Sequence, residues 1–179
     1  KHIVENKVAC ERCHSNVNKH GELTMSKESC NSCHHTQNKA NESCEKCHSF
    51  QAQIYNGNYM KKDQPDFMKA GGSMCIDCHL SSDKVVKPDN KVCLKCHDEG
   101  YDEMMGEWKA DVTKTTNEVN EILKNLNTSE LNEEQQAEIK EIKRVVSDIN
   151  SHPSIYVHNY DLLSSLLNEK KKKLKAMTN

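Results

Sequence analysis

The sequence predicts a mainly α-helical protein with much irregular structure, built from two halves that are organised differently. After residue 100, apolar side chains recur at spacings of three and four, which is typical of amphipathic helices. Before residue 100, neither strand alternation nor long helical periodicity is evident, so we expect short helices joined by loops. We therefore predict one segment over residues 1–100 and a helical segment over 101–179.

Three apolar stripes define the helices predicted for residues 101–179. The first, of about 23 residues, breaks at Asn127-Thr128-Ser129, and the second ends at His152-Pro153, where proline stops one helix and can begin the next. Short connections favour antiparallel neighbours, so we expect an antiparallel helical hairpin followed by a third helix that carries His152 and His158 at its start. The stripes are Met105, Trp108, Val112, Thr115, Val119, Ile122 and Leu126; Gln135, Ile139, Ile142, Val146 and Ile149; and Tyr156, Tyr160, Leu163, Leu167 and Leu174.

The cysteines of residues 1–100 all lie in five copies of the pattern Cys-x-x-Cys-His. This pattern is the attachment signature of c-type haem, because two thiols at this spacing can each form a thioether to a haem vinyl group while the adjoining histidine reaches the iron. The sequence therefore predicts five covalently attached haems. The attachment cysteines are Cys10, Cys13, Cys30, Cys33, Cys44, Cys47, Cys75, Cys78, Cys93 and Cys96, and the proximal iron ligands are His14, His34, His48, His79 and His97.

Paired cysteines have two other common uses. Cys-x-x-Cys pairs also build tetrahedral zinc sites, and ten cysteines could form a disulfide framework. Neither use explains why a histidine follows every pair at once. We therefore favour haem over both alternatives.

The remaining histidines equal in number the distal ligands that five haems require. They are His2, His20, His35, His152 and His158. Each has a competing interpretation, such as a solvated loop position for His20, a helix cap for His152 or a frayed terminus for His2. Met25 and Met74, which precede attachment motifs, are the first alternative ligands, and histidine–methionine ligation would raise the potential of that haem.

Two histidines on each iron would leave no open position for a substrate. A haem catalyst generally needs such a position, so the histidine count favours electron transfer over chemistry on a small molecule. We expect all five haems to be low spin, and we do not expect an enzyme.

The composition supports a cofactor-filled interior for residues 1–100. Only 35% of the residues are hydrophobic and 4% aromatic, which would give a thin core without porphyrins. The interval 49–74 contains four of the aromatic residues, and we expect them to cover haem faces; a substrate pocket is the alternative. They are Phe50, Tyr55, Tyr59 and Phe67.

Charge and hydropathy bound the partners and the location. A formal net charge of −2 provides no basic field for nucleic acid, and no run of about twenty apolar residues could span a bilayer. Haem is attached outside the cytoplasm and the chain begins at Lys1-His2, so we expect a processed, exported protein, periplasmic or extracellular. We expect Lys170–Lys173 and Lys175 to complement the dipole of the last helix and to remain solvated.

The five motifs and the His34-His35 doublet resemble the multihaem cytochromes c of the broad c3-like class, over about residues 1–100. In haem number and size the chain is similar to the small pentahaem donors of periplasmic nitrite reductases. The C-terminal helices, in which His158 leads into Leu162-Leu163 and Leu166-Leu167, look like the helical ends of pentahaem nitrite reductases and octahaem oxidoreductases, which implies a late distal ligand at His158. Those enzymes often replace one motif histidine by lysine, and no motif here does so.

Three functions follow from these expectations. The first is a soluble electron carrier between redox partner proteins, and the second is a subunit of an extracellular conducting cytochrome filament. In such a homopolymer, neighbouring subunits can share haem ligation, and the terminal position of His2 suits that role. The alternative is an oxidoreductase that reduces a nitrogen or sulfur oxyanion at one uncovered haem.

Overall fold

The computed structural model describes residues 4–5, 7–12, 44–82, 84–129 and 131–177, with Arg12 and Lys84 described by their backbone alone. The protein is mainly helical, which confirms the predicted class. The α-helices are α1 (Ser49–Tyr55), α2 (Phe67–Ala70), α3 (Cys75–His79), α4 (Tyr101–Asn125), α5 (Glu133–Asn150) and α6 (Tyr160–Met177). Short 3-10 turns cover Cys10–Arg12, Cys44–Lys46, Tyr59–Lys61, Asn90–Lys95 and Ile155–His158.

The chain forms two compact units. One consists of residues 1–43 and 79–87, and the other of residues 44–78 and 88–179. In the first unit, the strands β1 (Leu80–Ser81) and β2 (Lys84–Val85) form an antiparallel pair in which Leu80 is opposite Val85. Two-residue strands are too short for an alternating pattern, so the sequence did not indicate them. The division predicted at residue 100 stays a prediction.

In the second unit, the long helices begin and end close to the predicted breaks. Asn132 caps α5 by accepting a hydrogen bond from the Gln135 N–H at 2.9 Å, and the Gln135 side chain accepts one from the Asn132 N–H at 3.0 Å. This reciprocal capping box sets the start of α5. The third helix begins later than expected, at Tyr160, because Asn159 has a non-helical backbone and accepts from the Leu162 N–H at 3.0 Å. His152 and His158 therefore precede this helix instead of lying within its first turn.

Side-chain contacts give the directions of the three helices. Tyr160 donates to Asp111 and Lys171 donates to Glu118, both at 2.9 Å, so α4 and α6 run in the same direction. Glu138 on α5 accepts from Lys170 at 2.8 Å and from Lys173 at 3.1 Å, and Lys170 also bonds Glu141, so α5 runs the opposite way to α6.

Buried side chains from all three helices form the core of this unit. One cluster consists of Val119, Ile139, Ile142, Val146 and Leu174. The other combines Val112, Val145, Ile149, Ile155, Leu162, Leu163, Leu166 and Leu167 with Ile54 and Tyr59 from the segment before the helices. The bundle thus extends its core into the interval 49–74, which we had expected to serve haem faces.

One side chain differs from expectation in its exposure. Lys170, expected to be solvated, is only 3% exposed because Glu138 and Glu141 satisfy its charge inside the bundle. Phe67, from the aromatic interval, is 81% exposed, in contrast to the buried Tyr59. None of the described helices is both long enough and apolar enough to cross a membrane.

Candidate haem-attachment site

The third motif lies on a helical turn that leads directly into α1. The backbone N–H groups of Cys47 and His48 both donate to the Cys44 carbonyl, at 3.3 and 2.8 Å. His48 is the residue before α1, and its carbonyl accepts from Ala52 at 3.0 Å. This turn brings the two cysteines and the histidine to neighbouring positions on the chain surface, and all three side chains are exposed.

The fourth motif forms α3. The Asp77 carboxylate accepts from the Met74 N–H at 2.7 Å and so stabilises the start of this short helix. At its end, the His79 Nδ1 atom lies 3.1 Å from the Val86 carbonyl oxygen. Because a carbonyl can only accept, Nδ1 carries the proton, and Nε2 is the nitrogen with ligand character in this tautomer.

The fifth motif, residues 93–97, begins within the turn Asn90–Lys95. The His97 N–H donates to the Cys93 carbonyl at 3.0 Å, and the His97 ring stacks on Tyr101 with centroids 4.3 Å apart and planes 13° apart. The Cys93 Sγ atom lies 3.9 Å from the Met105 Sδ atom. The first turns of α4 therefore contact both a cysteine and the histidine of this motif.

The cysteines of the three described motifs interact with one another within the second unit. The pKa of Cys75 is raised by burial and then by the charge and hydrogen bond of Cys44. The pKa of Cys78 is raised by burial and then by Cys93. The structure thus brings cysteines of the third, fourth and fifth motifs near one another.

Tyr55 belongs to the same group of side chains. Its hydroxyl donates to the Ser73 carbonyl at 2.9 Å. Its pKa is raised to about 12 by burial, then by Asp66 and by the two cysteines of the fourth motif. The phenol therefore remains protonated at neutral pH and keeps this hydrogen bond, which ties α1 to the residues just before α3.

Exposed apolar side chains surround the motifs. In the described part of the chain, every large hydrophobic side chain that is exposed precedes residue 102. They are Val4, Phe67, Met74, Ile76, Leu80, Val85, Val86, Leu94 and Tyr101. These exposed side chains occur in both units, and each is available to pack against another apolar group.

His152 is held in a defined orientation. Its Nδ1 atom lies 2.8 Å from the Asp148 carbonyl oxygen, and its ring centroid lies 4.5 Å from that of Phe50. Nδ1 is therefore the protonated nitrogen, as at His79, and Nε2 is the potential ligand atom. Phe50 is two residues after His48, so the contact joins this histidine to the helix of the third motif.

His158 ends the turn Ile155–His158 and is half-buried. The next residue, Asn159, is 1% exposed, and its amide donates to the carbonyls of Ile54 at 3.1 Å and Gln64 at 2.8 Å. Sequence reasoning did not single out Asn159, although an asparagine before an apolar helical stripe is a recognised N-cap signal. Its hydrogen bonds fix the histidine-bearing turn to the segment that follows the third motif.

Several predicted residues lie outside the described part of the chain. Of the two attachment cysteines and the ligand histidine in the first motif, only Cys10 is described, and it is exposed. The others are Cys13, His14, Cys30, Cys33 and His34 of the first two motifs, the expected distal ligands His2, His20 and His35, and Met25.

The described residues fit haem. Cys10, Cys44, Cys47, Cys75, Cys78, Cys93 and Cys96 are free thiols, as thioether formation requires. In the same ranges of the chain, no three or more His, Cys, Asp or Glu side chains form a group that could hold a metal ion. Comparisons with protein-family models, with curated proteins and with solved structures find no match for this chain.

Proposed function

We propose that the chain is an electron-transfer cytochrome that carries five c-type haems and passes electrons between redox partner proteins. When bound, haem iron supplies reversible one-electron chemistry between its ferric and ferrous states. The chain's own residues would supply the attachment points and the iron ligands of the five haems. Electron transfer, and not catalysis on a substrate, is the proposed role.

The convergence of the third, fourth and fifth motifs supports this proposal most strongly. Cys44 interacts with Cys75, and Cys78 with Cys93, so the attachment points of these three groups are neighbours in one compact unit. Groups anchored at neighbouring points lie close together, which is what electron exchange between them requires. Isolated sites would serve a catalyst equally well, but a continuous series of sites serves transport.

The histidines would complete each site. The described proximal ligands are His48, His79 and His97, and the described distal ligands are His152 and His158. Hydrogen bonds from Nδ1 to a carbonyl at His79 and His152 fix the tautomer that presents Nε2 to a metal. The finer fold that we propose is a haem-packed N-terminal segment joined to an antiparallel helical hairpin and a third helix.

Mass spectrometry of the denatured, fully matured protein tests the proposal. We expect five haem additions, and we expect a chain in which Cys93 and Cys96 are replaced by alanine to carry four. The matched control is Met105→Leu, which removes the sulfur contact to Cys93 but no attachment point, and should keep five. Four or fewer haems in the native chain would contradict the count, and none would end the proposal.

Spectroscopy separates electron transfer from the enzyme alternative. Two histidines on each iron should keep every haem low spin in both oxidation states and exclude carbon monoxide. Carbon monoxide binding to a large fraction of the ferrous protein, or a high-spin signal that responds to nitrite or hydroxylamine, would instead support reduction of an oxyanion.

The proposed location is periplasmic or extracellular, and two forms of the protein fit the proposal. As a soluble carrier it would remain monomeric; as a filament subunit it would stack head to tail, with haem ligation shared between copies through His2. Electron microscopy of native material distinguishes the two forms. Monodisperse particles of one chain, at every concentration and salt tested, would leave only the carrier.

A further inference from the structure

The surroundings of His152 form a small, closely packed cluster, which we call the His152 cage: Phe50, Tyr59, Asp148 and His152 itself. Asp148 is the link between its members. Its carbonyl oxygen accepts from the His152 Nδ1 atom at 2.8 Å, and its carboxylate accepts from the Tyr59 hydroxyl at 2.7 Å. Phe50 contacts both rings, with centroids 5.1 Å from Tyr59 and 4.5 Å from His152.

The cage joins parts of the chain that are far apart in sequence. The Tyr59–Asp148 hydrogen bond spans 89 residues. It connects the segment just after the third motif to the last turn of α5, from which the chain leads directly to His152. The Asp148 carbonyl orients the His152 ring. The hydrogen bond from Tyr59 anchors Asp148, so it also restrains this carbonyl and, through it, the ring.

The backbone beside Tyr59 is strained. Met60, Lys61 and Asp63 have φ values of 55°, 58° and 51°, in the left-handed region that non-glycine residues rarely adopt. Arg144 on α5 contacts the Met60 sulfur, and Asn159 holds the Gln64 carbonyl, so both sides of this turn are fixed to the bundle. Strain of this kind persists where the surroundings determine the conformation, and it is common at functional sites.

We infer that Tyr59 and Asp148 are positioning residues that hold the His152 imidazole with Nε2 presented as a distal haem ligand. Phe50 packs against the ring, and the Asp148 carbonyl sets the tautomer. This inference rests on the proposed haem function, because it assigns residues that support one of its ligands. It adds a role for a tyrosine and an aspartate that neither bind the iron nor belong to an attachment motif.

The ligand itself is tested with His152→Gly in the haem-loaded full-length chain. We expect one haem per chain to become high spin and to bind carbon monoxide when ferrous, and we expect added imidazole to restore the low-spin state. If the glycine variant does not fold, His152→Met offers a second test, because a thioether ligand should raise the potential of a single haem. A glycine variant with unchanged spectra would overturn the inference.

The positioning role is tested with Tyr59→Phe, which keeps the ring contact with Phe50 but loses the hydrogen bond to Asp148. We expect all haems to remain low spin, while one low-spin electron paramagnetic resonance signal shifts and the other four stay unchanged. The matched control is Tyr160→Phe, which loses a tyrosine–aspartate bond of 2.9 Å to Asp111 but does not touch the cage. If the two variants behave alike, Tyr59 serves stability only and the positioning role fails.

Mass spectrometry of each variant separates the two levels of failure. Five haems with unaltered spectra in His152→Gly would refute the inference about His152 and leave the proposed function standing. Absence of covalent haem from the native protein would refute the proposed function itself.

Discussion

The three C-terminal helices and the motif-bearing residues before them differ in how they remove apolar surface from water. The helices bury their own side chains, with Val119, Ile142 and Leu163 at 0% exposure. Near the fourth and fifth motifs, Met74 and Ile76 are 57% and 46% exposed. The helices therefore bury their apolar side chains against one another and against Ile54 and Tyr59, whereas the residues at the fourth motif leave apolar side chains exposed.

Removal of every attachment point should reveal this difference most strongly. In a chain with all ten cysteines replaced by alanine, we expect the amide groups of α4, α5 and α6 to retain hydrogen-exchange protection of about 10³ or more. Residues 75–98 should retain about tenfold or less, because nothing else covers their apolar side chains.

The native, haem-loaded chain is the control, and there both regions should be protected. Equal protection of the two regions in the cysteine-free chain would show that residues 75–98 are held by protein contacts alone. Loss of protection throughout would show that the helices also depend on the attached groups.

The second way to test the comparison is to remove the iron ligand that we propose beside the third helix. His158→Ala should produce one new high-spin haem and lower the unfolding free energy by about 2–4 kcal/mol, because it removes the distal ligand that we propose beside the start of α6. Tyr156→Phe, in the same turn, is the control and should change neither the spectrum nor the stability appreciably. An unchanged spectrum in His158→Ala would mean that His158 is only packed against the bundle.

The two regions also differ in how much of them the sequence predicts. The helical stripes predict α4 and α5 well, because most of their buried positions follow a regular period and explicit breaks separate them. The sequence places the start of α6 too early. Tyr156 belongs to the apolar stripe, but the non-helical backbone of Asn159 prevents the helix from beginning before Tyr160. Periodicity records which residues are apolar but does not record a backbone dihedral angle.

The candidate site divides in a similar way. The sequence predicts the motif histidines as ligands from their adjacent cysteines, because attachment chemistry acts over five consecutive residues. The roles of Tyr59 and Asp148 could not be identified, because their hydrogen bond joins residues far apart in sequence and no local pattern marks either one. Lys170 was missed for the same reason, since its two glutamate partners lie on another helix.

A smaller effect should follow from loss of the link between the two regions at Asn159. Asn159→Ala removes two hydrogen bonds to buried carbonyls and the cap of α6, and we expect a loss of about 2–3 kcal/mol in unfolding free energy. Asn159→Ser should recover about 1 kcal/mol, since serine can cap the helix but cannot reach both carbonyls. Chemical denaturation measures both, and equal losses in the two variants would show that the cap contributes nothing.

The smallest expected effect concerns Lys170, the one lysine that is buried among the described residues. Burial lowers the pKa of Lys170, but hydrogen bonds to Glu138 and Glu141 outweigh it and raise the pKa overall. Burial likewise raises the pKa of Glu138, and the bonds from Lys170 and Lys173 outweigh it and lower the pKa. The Glu138 contribution to stability is therefore present above its unfolded pKa of about 4.3 and is lost as the pH falls through the lower folded value.

The Lys170 contribution has the opposite sign, being present below about pH 10.4 and lost as the pH rises through the raised folded value. We expect Lys170→Met to cost about 1–2 kcal/mol at pH 7, and we expect the difference from the native chain to shrink as the pH falls below the unfolded glutamate pKa of about 4.3 and through the lower folded pKa of Glu138. The control is Lys171→Met. Lys171 bonds Glu118 and is more exposed than Lys170, so this variant should show a weaker dependence on pH. Urea unfolding at pH 7 and pH 3.5 measures this difference, and a Lys170→Met effect of equal size at both values would show that Lys170 stabilises the bundle through its methylene chain and not through its charge.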